Sequence, residues 1–342
     1  MYDFSKIKNV HLEVTGKCNA ACPMCSRYTR DGFLQDFPQT HLSKEHFYKF
    51  FSEEFCEQLN NVYLSGVYGD PCMHPDLVEF VSYLKEKVGS CSVDSNAGYR
   101  TTKFWANLAK TGVSTEFAVD GLADTNHLYR RKVQWNKVEE NMKAYSDAGG
   151  TGRWNFIVFE HNQHQLEEAK EFANRLGFDF RVKITQKFQK SMNWIVHEEG
   201  TALYELKTPQ GEYRHPVIGE RKFTIEQADY EKVIERSDDW SDGIEIECES
   251  LLKQEIFFNY EGYVLPCCHL GTLYEPVGRK DMELKLKLEK FKIDNYDLRT
   301  IVDNMDSIAN TWPAKNCRSG KLLACASICK KSSKAVTKYA NG

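Results

Sequence analysis

Six strand-like runs alternate with helical runs over the first 185 residues, and that rhythm limits the chain to an α/β architecture built on a parallel sheet. The strand-like segments are Val10–Val14, Asn61–Ser65, Cys91–Asp94, Glu116–Asp120, Trp154–Phe159 and Phe178–Lys183. Helical patterns stand between them at His46–Leu59, Leu77–Val88, Thr102–Thr111, Trp135–Ala148 and Gln165–Leu176. In the first of these, Phe47, Phe50, Phe51 and Phe55 recur at helical spacing. Gly149-Gly150 and Gly177 supply the left-handed closure that ends the last two. Strand, helix, strand repetition predicts parallel neighbours joined by right-handed crossovers. Periodicity alone leaves two forms open, a doubly wound open sheet and a curled partial barrel.

Directly after the first strand comes Cys18-Asn-Ala-Ala-Cys22-Pro-Met-Cys25. Three thiolates suit three corners of a [4Fe–4S] cluster and leave the fourth iron without a protein ligand. A tetrahedral zinc, or a fully ligated electron-transfer cluster, wants a fourth cysteine close by, and the next one is Cys56. An open iron is a coordination site, so the spacing points to chemistry; a zinc or structural site is the alternative. The twelve cysteines cluster, with three at 18–25 and six at 248–329, and only Cys56, Cys72 and Cys91 between. The N-terminus, Met-Tyr-Asp-Phe-Ser-Lys, has no apolar signal core, so a cytoplasmic location is expected. There, clustered cysteines serve as metal ligands or catalytic groups rather than as disulfides. No run of eighteen apolar residues is present, which argues against a membrane span. A net charge of −4 gives no nucleic-acid footprint.

The cysteine triplet, in this position, resembles that of the radical S-adenosylmethionine (radical SAM) enzymes. A second stretch extends the resemblance: Tyr63-Leu-Ser-Gly-Val-Tyr-Gly-Asp-Pro71, followed by Cys-Met-His-Pro-Asp76. It is similar to the segment that ends the family's second barrel strand, with Tyr68, Gly69 and Asp70 where Gly-Gly-Glu is more usual. The resemblance implies a partial (β/α)6 TIM-like barrel, with Cys18, Cys22 and Cys25 holding a [4Fe–4S] cluster and S-adenosylmethionine (SAM) chelating its open iron. It implies backbone carbonyls near Tyr68, Gly69 and Asp70 facing the methionine amino group. Ser95 and Asn96 would contact the ribose or carboxylate, or else form only a turn. Asp120 would end strand four, either in the site or as a cap. Arg130 would pair with the SAM carboxylate, since a planar guanidinium suits that partner. Glu160, with His161 and Asn162, would lie near the ribose. Cys72 is a candidate catalytic radical or hydrogen-atom donor, with a packing role as its alternative.

The last hundred residues carry the second cysteine set. Cys248, thirteen residues, Gly262, four residues, Cys267, and then Cys317, Cys325 and Cys329 resemble the SPASM/twitch extension of the family, a small α+β domain holding auxiliary iron–sulfur clusters. Phe257 to Leu265 reads as a β-hairpin turning at Glu261-Gly262. A full SPASM domain needs more cysteines than the six here, so one auxiliary [4Fe–4S] cluster is expected. Cys248, Cys267, Cys325 and Cys329 match its ligand positions, with Cys317 as the rival for one of the last two. Cys268 is set aside because adjacent cysteines rarely both ligate one cluster.

The expected domains are a radical SAM barrel over 1–185, a polar linker or substrate-side insertion over 186–245 read as a surface loop with short helices, an auxiliary-cluster domain over 246–334, and a basic tail over 335–342. The resemblance implies hydrogen-atom abstraction by a 5′-deoxyadenosyl radical. The first expected substrate is a peptide or protein, undergoing oxidation, crosslinking or epimerisation, with a flavodoxin or ferredoxin as reductant. Strand one begins almost at once, so no leader-binding domain is expected ahead of it, which weighs against a ribosomal peptide. A small-molecule dehydrogenase or isomerase is the alternative enzyme. A non-enzymatic metal protein is a third reading, disfavoured because six strand–helix units are far more protein than two clusters need.

Overall fold

The computed structural model describes residues 2–29, 32–34, 37–185, 193–198, 200–211, 241–273, 282–283 and 285–331. The strands in chain order are β1 Asn9–Leu12, β2 Tyr28–Thr29, β3 Gly32–Phe33, β4 Asn61–Leu64, β5 Ser90–Ser95, β6 Ser114–Ala118, β7 Thr151–Ile157, β8 Asp179–Lys183, β9 Asn193–Glu198, β10 Thr201–Lys207, β11 Glu255–Phe258 and β12 Val264–Leu265. The helices are α1 Lys44–Phe50, α2 Glu53–Glu57, α3 Leu77–Lys87, α4 Thr102–Lys110, α5 Asn126–Tyr129, α6 Trp135–Asp147, α7 Leu166–Arg175, α8 Glu249–Leu252, α9 Leu298–Asn304, α10 Asp306–Ala309 and α11 Leu323–Ile328.

Eight strands form one sheet in the order β12-β11-β1-β4-β5-β6-β7-β8. From β11 to β8 every neighbour is parallel, and only β12 runs antiparallel, against β11. β8 and β12 are its two edges, so the barrel is partial. Alternation along the strands sets the layers. Val10, Leu12, Val62, Leu64, Val93, Phe117, Trp154 and Phe156 are fully buried on the helix-covered face. His11, Tyr63, Asp94, Glu116 and Asn155 alternate with them and line the opposite, concave face.

Two local readings are corrected by capping and turn chemistry. The helix expected over His46–Leu59 is two helices, because Ser52 breaks it: its side chain accepts a hydrogen bond from the Phe55 N–H and starts α2 afresh. The loop with short helices expected within 186–245 contains the antiparallel hairpin β9–β10, turned at Gly200 with φ +77°. Its strands alternate faces, Val196 and Leu206 buried, Ile195 and Leu203 exposed. The Tyr204 hydroxyl donates to the Leu128 carbonyl at 2.6 Å, and Arg131 pairs with Glu198 at 3.0 Å. The rest of that insertion, and the basic tail, lie outside the described residues.

The C-terminal hairpin forms as expected, with Gly262 at φ +87°. It also extends the barrel sheet: β11 pairs with β1 from Asn9↔Glu255 to Leu12↔Phe258. Phe50 of α1 stacks on Phe258 at 4.1 Å, so the two halves of the chain share one core. Among the described residues no helix is long and apolar enough to cross a membrane.

Phe80 is fully buried and stacks on Phe47 at 3.9 Å, joining α3 to α1. Phe80→Ala is expected to lower the unfolding free energy by about 3–5 kcal/mol. Leu252→Ala, at a 68% exposed position, should change it by no more than about 0.5 kcal/mol. Urea unfolding of both variants checks this, and equal midpoints would contradict the assigned core.

Candidate active site

The carboxyl ends of the parallel strands gather the cysteine triplet and the second motif. Gly69 makes this possible. A Cβ there would sit 1.8 Å from the Thr15 carbonyl oxygen, so only glycine allows the two backbones to touch. The Asp70 N–H donates to the Lys17 carbonyl at 2.9 Å, fastening the loop after β4 to the loop before Cys18.

Asp70 is buried and works as a hub. Its carboxylate accepts from the Cys72 N–H at 3.0 Å, the Ser95 hydroxyl at 2.9 Å, the Asn96 N–H at 2.8 Å and the Asn96 side-chain amide at 2.7 Å. Burial holds its pKa above the ordinary value, against these hydrogen bonds. The carboxylate is therefore committed to the end of β5. Asn96 continues the chain of contacts, donating to Asn19 Oδ1 at 3.0 Å and lying 3.8 Å from Cys18 Sγ. Cys72 has no exposed surface and sits behind Asp70, the position of a packing residue; the reading of it as a hydrogen-atom donor lacks an open side.

On the other side Asp120, fully buried, pairs with Arg130 Nε at 2.6 Å and accepts from the Ile157 N–H at 2.5 Å. Arg130 Nη1 faces Cys22 Sγ at 3.6 Å. Asn162 donates to the Asp120 carbonyl at 2.9 Å. Glu160 points elsewhere, bonded to Gln210 at 2.8 Å and 3.7 Å from Lys207, on the outer side of β10. Of the candidates, Cys18, Cys22, Cys25, Tyr68, Gly69, Asp70, Ser95, Asn96, Asp120 and Arg130 are thus linked by contacts, and Glu160 is not.

Two residues that the sequence reading passed over belong here. Arg27 is buried, donates to the Cys18 carbonyl at 3.1 Å and stacks over Phe33 at 4.8 Å. Glu13 ends β1 fully buried; Oε1 accepts from the Tyr68 N–H at 2.6 Å, and Oε2 has no partner among the described residues. A carboxylate inside Val-His-Leu-Glu-Val was the available signal. Burial pushes Glu13 up to about 8, Cys18 up to about 12 and Cys25 up to about 11, and it raises Cys22 against the pull of Arg130. The three thiols are neutral without metal, so a thiolate-held cluster would release their protons on assembly. Deeper in the lumen, Asp94 is lifted by burial to about 6 and Lys183 is pulled down by burial.

The second thiol group lines a small cavity: Cys248, Cys267, Cys325 and Cys329 share its wall with Tyr2, His269 and Trp312. Cys317 and Cys268 are not on that wall. The hydrogen bond with Cys329 holds the Cys248 thiol below its ordinary pKa, with Ser250 and Tyr2 adding to the effect. No three His, Cys, Asp or Glu side chains among the described residues converge on a single metal ion. A cluster, with ligands standing well apart on separate irons, is a different demand, and sets of buried thiols with few competing donors suit it.

Residues 12–174 match the family model described as the radical SAM superfamily. This part of the chain is similar to a radical SAM domain, the catalytic domain of a family of enzymes. That family's domain implies a [4Fe–4S] cluster and SAM, and the cysteine triplet, with Cys22 buried and Cys18 and Cys25 partly so, beside the Tyr68–Asp70 loop fits them. The chain is similar, at 24% identity over 184 residues, to the tungsten-containing aldehyde ferredoxin oxidoreductase cofactor-modifying protein of Pyrococcus furiosus, covering 51% of this chain and 50% of that protein. It is 23% identical over 181 residues to a probable GTP 3′,8-cyclase of Methanococcus maripaludis, covering 50% and 57%. The matches thus span about half the length of these relatives. Among solved structures, Streptococcus suis SuiB bound to precursor peptide SuiA aligns at TM-score 0.56 and 14% identity, over 94% of this chain and 72% of that one. anSMEcpe with bound AdoMet aligns at 0.50 and 11%, over 92% and 86%. These likenesses concern the fold alone, and they run over most of the chain.

Glu13 gives a pH test. Its pKa is about 8 folded, against an ordinary 4.5, so between these values the folded state binds more protons and stability falls as pH rises. Glu13→Gln should remove that slope. Denaturant unfolding at pH 5 and pH 8 is expected to show wild type losing stability relative to the variant; a constant difference would place the Glu13 pKa near its ordinary value.

Proposed function

We propose that this chain is a radical SAM enzyme that abstracts a hydrogen atom from a peptide or protein substrate, with an oxidative or epimerising outcome. The observation that carries the reading is the docking of the Tyr68–Asp70 loop onto the cysteine loop through Gly69 and Asp70. Cys18, Cys22 and Cys25 would hold the cluster. When bound, cluster and SAM would supply a 5′-deoxyadenosyl radical, chemistry that belongs to the cofactors.

The chain's own residues then have distinct tasks. Arg27 and Arg130 bring two positive charges to the buried thiol loop and would offset a cluster's negative charge. Glu13 holds the Tyr68 and Gly69 N–H groups, which orients that peptide so that its carbonyls can meet an amino group. Asp70 fixes Ser95 and Asn96, and Asp120 fixes Arg130, so the SAM-binding edge is set before a ligand arrives. Arg130 would reach a carboxylate only with the guanidinium edge that Asp120 leaves free. Cys248, Cys267, Cys325 and Cys329 would hold one auxiliary [4Fe–4S] cluster, and an external flavodoxin- or ferredoxin-type protein would deliver electrons in a reducing, cytoplasmic setting. None of the twelve cysteines is joined in a disulfide, in keeping with that setting.

The peptide reading is supported by the fold likeness to SuiB, solved with its precursor peptide, over nearly the whole of this chain. The partly buried Asp94, Glu116 and Lys183 along the lumen favour a polar reacting group, and a small polar molecule is the second reading.

Anaerobic reconstitution with iron and sulfide, dithionite reduction and a SAM cleavage assay test this. Wild type is expected to bind about eight iron atoms and to form 5′-deoxyadenosine. Cys22→Ala should lose the deoxyadenosine and keep about half the iron. Stoichiometric zinc in place of iron, or full deoxyadenosine formation by Cys22→Ala, would refute the assignment.

A further inference from the structure

We propose that Tyr2, Ser250 and Trp312 are hydrogen-bond donors to the auxiliary cluster and hold its reduction potential up. The inference rests on the reading of Cys248, Cys267, Cys325 and Cys329 as cluster ligands. The Tyr2 hydroxyl lies 3.5 Å from Cys248 Sγ, and Ser250 Oγ lies 3.2 Å from the same sulfur. With a protonated thiol, either partner of each pair could donate. A cysteine bound to iron is a thiolate with no proton to give, so both hydroxyls must then donate to it.

Both are held for that task. Tyr2 is buried, and its backbone N–H is fastened to Asp306 Oδ1 at 2.8 Å, at the start of α10. Ser250 is buried in α8, two residues after Cys248. Trp312 lines the same cavity, and its indole Nε1 is buried with no acceptor among the described residues. An indole N–H can only donate, and burying it unpaired is unfavourable. A cluster in the cavity would supply the missing acceptor as sulfide or thiolate sulfur. His269, kept neutral by burial, is a further polar side chain on a wall otherwise made largely of residues such as Ile246, Leu270, Ile308 and Ile328.

Hydrogen bonds to cluster sulfurs stabilise the more negative, reduced state and so raise the potential. The donors come from residues 2, 250 and 312, so the potential depends on the first turn of the chain being packed against the C-terminal region. A raised potential suits a cluster that takes electrons from a substrate, which favours the oxidative outcome over the epimerising one.

The test uses the full chain carrying Cys18→Ala, Cys22→Ala and Cys25→Ala, so that any iron–sulfur signal comes from the auxiliary site. Tyr2→Phe, Ser250→Ala and Trp312→Phe are added singly, and the midpoint potential is read by an EPR-monitored redox titration beside the iron content. The expected result is about four iron atoms in every protein and a midpoint shifted to more negative potential in each added variant. An unchanged midpoint in all three, with iron retained, overturns this inference and leaves the auxiliary cluster standing. Absence of iron from the parent triple-alanine chain overturns the cluster reading and the inference with it.

Discussion

The contact between two backbones, Gly69 against Thr15, governs the architecture of the site. Side chains can adapt to one another; two main chains in van der Waals contact cannot. Because a Cβ at Gly69 has no room, the loops after β1 and β4 are held in one relative position, and the Asp70 N–H to Lys17 bond fixes their register. From that point the Asp70 carboxylate reaches across to β5 and Asn96 reaches back to Asn19, so three strand ends are closed into one hydrogen-bonded ring. An aspartate at this position is short enough to be used up within the protein. The functional work of the motif therefore falls on its peptide groups, and Glu13 beneath them decides which way those peptides face.

Electrostatics set the second constraint. Buried thiols resist ionisation, and Cys18, Cys22 and Cys25 all stand above their ordinary pKa. Arg27 and Arg130 work in the opposite direction, one beneath the cysteine loop and one at Cys22. Neither cation is loose: Arg130 is paired with a fully buried Asp120, and Arg27 is packed over Phe33 and against main-chain carbonyls. Breaking such a buried pair from one side leaves an uncompensated charge, so Asp120 is tied to the site's integrity even where it touches no ligand.

The repeating part of the fold was legible because it obeys local rules. Val10, Leu12, Val62, Leu64 and Val93 sit in short strand-like segments of alternating burial between helical patterns, and segments of that kind have few other destinations. The cysteine triplet was legible because its spacing is itself the chemistry. What escaped depended on partners distant in sequence. Ser52 looks like one polar residue on a phenylalanine-rich helix until its cap bond to Phe55 is seen. Trp194-Ile-Val and Tyr204-Glu-Leu carry a strand signal, yet they lie amid polar, aperiodic sequence that masks it. Glu13 and Arg27 show no spacing at all; only burial distinguishes them from surface charges. Arg130 and Glu160 were both assigned by their place at strand ends, and side-chain direction separates them, inward onto Asp120 for one and outward onto Gln210 for the other.

The edge of the sheet ties the two thiol groups together. β11 lies parallel to β1, the strand that delivers the cysteine triplet, and the turn back through β12 delivers Cys267 and Cys268. Cys267 lies on the wall of the second thiol cavity. Cys268 is not on that wall, and burial first, then the neighbouring Glu255, push its thiol up to about 11. The chain turns directly after β12, with the Leu270 and Gly271 N–H groups donating to the Cys267 and Cys268 carbonyls, and the two adjacent cysteines meet different surroundings. The doublet is thus divided, with Cys267 on the cavity wall and Cys268 off it. Tyr2 lies on the cavity wall, while Tyr63, stacked on His11 at 4.5 Å, lines the lumen face of the sheet that β11 extends.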